Sequence, residues 1–176
     1  MNRSETGKLT KCAMCLALAT ALSYVKLFKA PMGGSVTLCS MLFIVLTGYF
    51  YGAKTGLMVG TAYGILQFVL EPYFYTIPQV IIDYPLAFGA LGISGFFYKK
   101  KNGLYIGYIL SVFGRLVFAT LSGFIFFSQY APEGMHPFIY SLSYNGSYLG
   151  IEALITLAVI SLPPVKNTIA KLKKEA

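Results

Sequence analysis

Residues 77–98 read IPQVIIDYPLAFGALGISGFFY, a run long enough to cross a bilayer, since about 20 predominantly apolar residues span the hydrocarbon core as a helix. One acid, Asp83, interrupts it. A carboxylate at membrane depth costs about 2.5–3.5 kcal/mol on insertion scales, so such a residue marks either an interior polar contact or a place where a cationic or hydrogen-bonding group binds. Asp83 shares a helix face with Ala87, Ala90 and Ser94, at i, i+4, i+7 and i+11. That face is small and turns the acid toward neighbouring helices rather than lipid. Pro85 cannot donate to the carbonyl of Ile81, so a local irregularity with a free acceptor is expected beside the acid.

Outward from that run, the chain of 176 residues is 56% apolar and only 11% charged, with a positive mean hydropathy. Soluble domains carry about 25% charged residues, so the composition is that of an integral membrane protein. Six apolar segments are read: about Leu9–Phe28, Leu38–Tyr51, Thr55–Leu70, Ile77–Tyr98, Leu104–Ser128 and Leu142–Leu162. The second and third are short for spans, and Tyr51 to Lys54 between them reads as a tight turn. The first lacks a small-residue cleavage site and is long enough to stay as a span. The expected fold is an all-α integral membrane protein, a compact bundle of six transmembrane helices forming one domain over residues 1–176.

The basic residues set its orientation. With six alternating spans, Arg3, Lys8, Lys11, Lys54, Lys99, Lys100, Lys101, Lys166, Lys171, Lys173 and Lys174 fall on one side, and only Lys26 and Lys29 on the other. That asymmetry places both termini in the cytoplasm. The net charge of +8 therefore reads as membrane topology, not as a nucleic-acid face. The external loops, KAPMGGSVT, EPYFYT and QYAPEGMHPFIY, are rich in Pro, Gly and aromatics, a composition suited to packing over a cavity mouth or to interfacial anchoring.

Two stripes of small residues recur at four-residue spacing: Ala13, Ala17 and Ala21 in the first span, Gly56, Gly60 and Gly64 in the third. Such stripes let helix backbones approach closely. Spacing alone leaves two readings open, packing within the monomer or docking of another membrane protein. The sixth span has a polar face of Asn145, Tyr148 and Glu152, with Tyr140 expected just before it. Arg115 is the only basic residue placed at depth, either paired with Glu152 or Asp83 or snorkelling to the inner surface, and is read as a structural residue of the inner half.

Enzyme chemistry has little to stand on. The one histidine, His136, lies in an external loop without a nucleophile at recognisable spacing, and no phosphate-binding glycine motif is present. Cys12 and Cys15 have C-x-x-C spacing, but no second pair or histidine cluster follows, so these and Cys39 read as packing residues, with no metal. No cofactor is expected, and no internal pair of interrupted helices suggests a two-fold carrier.

The loops PMGGSVTL and SQYAPEGMHPFIYSLSYNGSY, with GAKTGLMVGTAYGILQF and YFYTIPQVIIDYPLAFGALGISG, resemble the thiamine-specific S component of energy-coupling factor (ECF) transporters over nearly the whole chain. That resemblance implies a six-helix subunit of the cell membrane that captures thiamine from outside. It implies partners too: a shared transmembrane subunit and two cytoplasmic ATPases. Position by position, the family's acid and following tyrosine match Asp83 and Tyr84, a tyrosine ten residues upstream matches Tyr73, and a Tyr and Asn five apart match Tyr140 and Asn145. Phe127 stands for one stacking tryptophan, and Met32 or Phe28 for another, since the chain has no Trp. Ala13, Ala17 and Ala21 match the surface that docks the transmembrane partner. Where the family typically has a histidine four residues after an Arg, this chain has Ala119.

A buried carboxylate with aromatic faces and amide or hydroxyl groups suits a flat cationic heterocycle on physical grounds alone. The readings left open are an S component for another vitamin or precursor, a stand-alone carrier titrating Asp83, and a structural hydrogen bond for that acid.

Overall fold

The computed structural model describes residues 3–30 and 33–175. Helices dominate: α1 (Arg3–Ser23), α2 (Ser40–Tyr51), α3 (Ala53–Leu70), α4 (Ile77–Phe97), α5 (Gly103–Phe126), α6 (Pro137–Ser161) and α7 (Pro163–Lys174). Between α1 and α2 lies an antiparallel hairpin, β1 (Lys26–Lys29) and β2 (Ser35–Thr37). Helices α4 and α5 are long and apolar enough to cross a membrane, and α6 with α7, bent by 81°, forms a third crossing if counted as one span.

The first expected span is therefore too long at its C-terminal end: Phe28 lies in β1, not in a helix. The stretch expected as an external loop, KAPMGGSVT, begins and ends in strands, and its second half goes inside. Val36 and Thr37 are buried, as are Ser40 and Met41 at the start of α2. This explains why α2 has only 12 residues. Extended backbone makes up the rest of the path, and non-helical backbone at membrane depth is tolerated only where protein or a cavity surrounds it.

Beginning a helix inside a bundle leaves its first N–H groups without water. Cys39, in a left-handed conformation with φ 58°, offers no side-chain cap. Glu152 of α6 supplies the acceptor: its carboxylate takes the N–H of Thr37 at 3.0 Å, the Ser40 hydroxyl at 3.3 Å and the Met41 N–H at 3.5 Å. A negative charge there also meets the positive end of the α2 dipole.

The break expected between the second and third spans falls at Gly52, whose φ of 87° ends α2 and starts α3. From there the glycine stripe of α3 presses inward on α2 and α4. A methyl group at Gly56 would sit 2.6 Å from Cα of Gly48 and 3.0 Å from Cα of Gly92, and one at Gly60 would sit 2.6 Å from the Phe88 carbonyl oxygen. That stripe is internal packing. Ala13, Ala17 and Ala21 are exposed, whereas Cys12 and Ala19 on the other side of α1 are buried. Two stripes of equal spacing thus face opposite ways.

Helix α4 carries the expected irregularity. A π-helical turn spans Ile82–Leu86 with Pro85 inside it, and the helix tightens to 3-10 form over Ala90–Phe97. Below, polar contacts lock it: Ser94 Oγ donates to the Val45 carbonyl at 2.7 Å, and Ser111 Oγ donates to the Leu91 carbonyl at 2.9 Å. Met41, Ile44, Val45, Leu91, Tyr108 and Leu149 fill the surrounding core.

The lysine-rich ends come together at one end of the bundle. Lys8 lies 5.6 Å over the Tyr51 ring, and Lys11 donates to the Glu175 carbonyl at 2.7 Å. Lys173 of α7 donates to the Tyr98 carbonyl and sits 3.5 Å over the Tyr49 ring, while Ile169 is buried beneath.

Candidate functional site

At the opposite end, a cavity of about 600 Å³ opens where the hairpin, the loop after α3 and the start of α6 meet. Asp83, Tyr84, Tyr73, Tyr140, Asn145 and Phe127 all line it. These six come from four separate parts of the chain, and the fold brings them to one hollow. Of the two further candidates, Phe28 is exposed and is not among the lining residues, and Met32 lies outside the described residues.

Asp83 enters the cavity from the π-helical turn, which shifts the phase of the helix at that point. Its Oδ2 accepts a hydrogen bond from Gln79 Nε2 at 2.6 Å. Gln79, fully buried, also donates from Nε2 to the Tyr73 carbonyl at 3.2 Å, and its Oε1 accepts the Tyr75 N–H at 3.0 Å. The acid is thereby tied to the loop that carries the mouth aromatics. Thr76 starts this helix as an N-cap, accepting the Gln79 N–H.

The Tyr84 hydroxyl is occupied by the same loop. It accepts the Tyr73 N–H at 2.9 Å and donates to the Glu71 carbonyl at 3.1 Å. Its ring packs edge-on to Phe68, with centroids 5.1 Å apart. The polar tip of this residue positions Tyr73, and only its ring is left for the cavity.

Phe127, at the end of α5, anchors an aromatic wall. Its ring lies 5.7 Å from Tyr73, 5.6 Å from Tyr75 and 6.3 Å from Tyr130. Across the mouth, Tyr140 lies within the first turn of α6 rather than ahead of it, because Pro137 begins the helix five residues earlier than expected. Its ring stacks on Tyr144 at 6.3 Å, and its hydroxyl has no hydrogen-bond partner among the described residues.

Asn145 is committed to the scaffold. Its Nδ2 donates to the Ser141 carbonyl at 2.9 Å and the Ala119 carbonyl at 3.3 Å, and its Oδ1 accepts the Tyr148 hydroxyl at 2.7 Å. An amide oxygen has two lone pairs, so one acceptor position is left over. The backbone of Ala119, where the resemblance implies a histidine, is used to fasten α6 to α5.

Arg115 lines the cavity with its guanidinium 4.0 Å over the Phe88 ring. Neither Asp83 nor Glu152 pairs with it; among the described residues its charge is met by the ring alone. The expectation of a structural arginine away from the site is corrected accordingly. Glu152 also lines the cavity, with both oxygens facing donors from β2 and α2. At the rim, Lys26 of the hairpin pairs with both oxygens of Glu71, at 2.5 and 2.6 Å. No cluster of three or more His, Cys, Asp or Glu suited to a metal occurs among the described residues.

The family described as "Thiamine transporter protein (Thia_YuaJ)" matches residues 9–172. The chain belongs to that family. It is 34% identical to "Thiamine transporter ThiT" of Bacillus subtilis (strain 168), over 92% of this chain and 93% of that protein. To the protein of the same name from Lacticaseibacillus paracasei it is 25% identical, over 85% of this chain and 83% of the other. A solved structure titled for ThiT from Listeria monocytogenes superposes with a TM-score of 0.85, covering 97% of this chain and 99% of that one at 23% identity. That likeness establishes the fold. The family is one of membrane transporters, not enzymes, and the apolar helices of this chain fit a multi-pass membrane protein.

Within this thiamine transporter family member, Gln79 is the residue that sequence reading passed over. Its signal was present: an amide one helical turn before the acid, at i and i+4, lies on the same face. Glu152 and Tyr148 were legible as a polar face, but their partners across the bundle were not.

Proposed function

We propose that this chain is the substrate-binding S component of an ECF-type importer, capturing thiamine outside the cell and delivering it through a partner transmembrane subunit driven by two ATPases. The chain acts as a single six-span domain over residues 1–176, with both termini cytoplasmic. Supporting that topology, the lysines of α1, α7 and the α4–α5 turn gather at one end, and the cavity lies at the other.

One observation carries the ligand reading: Asp83, the Tyr73–Phe127 wall, Tyr140 and Asn145 line one cavity. Thiamine has a permanently cationic thiazolium and an aminopyrimidine edge with donors and acceptors. A carboxylate answers the charge or a donor, aromatic faces hold the rings, and hydroxyl and amide groups read the edge. The exposed Ala13, Ala17 and Ala21 face supplies the surface on which a transmembrane partner packs.

Titrating the detergent-purified protein with thiamine, by calorimetry or by its tyrosine fluorescence, tests this. Saturable binding is expected, and no response overturns it. In proteoliposomes without partner subunits the protein is expected to bind but not accumulate thiamine. Concentrative, pH-responsive uptake by the chain alone would instead favour an ion-coupled carrier.

A further inference from the structure

The geometry points to Gln79 as the positioning residue that makes the cavity selective for a ligand bringing a donor or positive charge to Asp83. This rests on the thiamine-binding reading above. A primary amide has two ends of nearly equal shape and opposite polarity, so what it shows a neighbour depends on which way it is held. Here the loop decides. The Tyr75 N–H donates to Oε1 at 3.0 Å and the Tyr73 carbonyl accepts from Nε2 at 3.2 Å. Turning the amide over would set oxygen against oxygen and N–H against N–H at both places.

Held this way, Nε2 has one hydrogen for the Tyr73 carbonyl and one for Asp83 Oδ2, at 2.6 Å. Oδ2 is therefore an acceptor already satisfied, and Oδ1 is left as an acceptor for the cavity. A ligand offering a donor or a cation completes the group, while one offering a lone pair meets repulsion. Gln79 is fully buried and acts through the carboxylate. The same amide ties Asp83 to Tyr73 and Tyr75, the two rings that pack on Phe127, so the acid and the aromatic wall are set by one side chain.

The test is thiamine titration of the full chain in detergent for wild type, Q79M, Q79E, D83N and Q79M/D83N, with the thermal midpoint of each. Wild type is expected to bind. Q79M is expected to weaken binding at least tenfold, and Q79M/D83N to bind within threefold of D83N, because Gln79 works through Asp83. Losses that multiply in the double variant would overturn the proposal. Q79E keeps an acceptor for the Tyr75 N–H but shows Asp83 an acceptor in place of a donor, so it is expected to lose at least as much as Q79M. Near-native binding by Q79E would mean that the loop contact alone matters, and would also overturn it. A wild-type protein that ignores thiamine overturns the functional reading itself, a result visible before any variant is compared.

Discussion

The carboxylate of Glu152 accepts the backbone N–H of Thr37 at 3.0 Å, joining the middle of α6 to the strand that enters the bundle. It stands in for the water that a helix start normally finds at a surface. Replacing it by Gln turns half of the group into a donor facing donors, and replacing it by Leu leaves them all unpaired. We expect Glu152→Gln to cost about 1–3 kcal/mol, the range for buried donors left without a partner, and Glu152→Leu more. Thermal unfolding in detergent, followed with a thiol-reactive dye on Cys12, Cys15 and Cys39, reads the loss. An unchanged midpoint would show that the capping is dispensable.

The two small-residue stripes give opposite expectations. Gly60→Ala pushes a methyl into the Phe88 carbonyl, so we expect overpacking to cost about 1–3 kcal/mol. Ala17→Leu lies on an exposed face and should leave the stability of the isolated protein within about 0.5 kcal/mol. Co-purification with the ECF transmembrane subunit should be lost only for Ala17→Leu. A destabilised Ala17→Leu would mean that the stripe packs within the monomer.

Asp83→Asn should weaken thiamine binding by about 1–3 kcal/mol, and Tyr140→Phe by a similar or smaller amount, as expected when a buried hydrogen bond to ligand is removed. Calorimetric titration measures both. Wild-type affinity after Asp83→Asn would remove the acid from the site.

Asn145→Ala is expected to do two things at once, because its amide fastens α6 to α5 through the Ala119 and Ser141 carbonyls. Both the thermal midpoint and the thiamine affinity should fall. An affinity loss with an unchanged midpoint would place Asn145 in direct contact with ligand rather than in the scaffold.

The rim pair Lys26–Glu71 is partly exposed, with side chains 18% and 47% accessible, so Lys26→Ala should change stability by less than about 1 kcal/mol. Its effect should shrink further in high salt. A larger, salt-independent loss, read by unfolding at two ionic strengths, would show that the hairpin depends on it.

The spans, the lysine asymmetry, the inward face of Asp83 and the irregularity at Pro85 were all legible in the sequence, because each follows from composition or from neighbours within a turn or two of helix. The residues gathered around the cavity were reached by resemblance, and their convergence by the fold. What escaped was every feature whose partner is distant in the chain. Gln79 could be seen beside Asp83, but not the loop backbone that fixes which way its amide points.

Periodicity thus determined which segments are helical and which residues share a face, since those properties are local to a single helix. Only the tertiary structure decided which stripe of small residues is covered, that part of the first external loop descends into the bundle, and that Glu152 serves the start of α2. The reason is physical: identical four-residue spacings on two isolated helices are equivalent until neighbours occupy one side, and a buried N–H acquires its acceptor only when another element is packed against it.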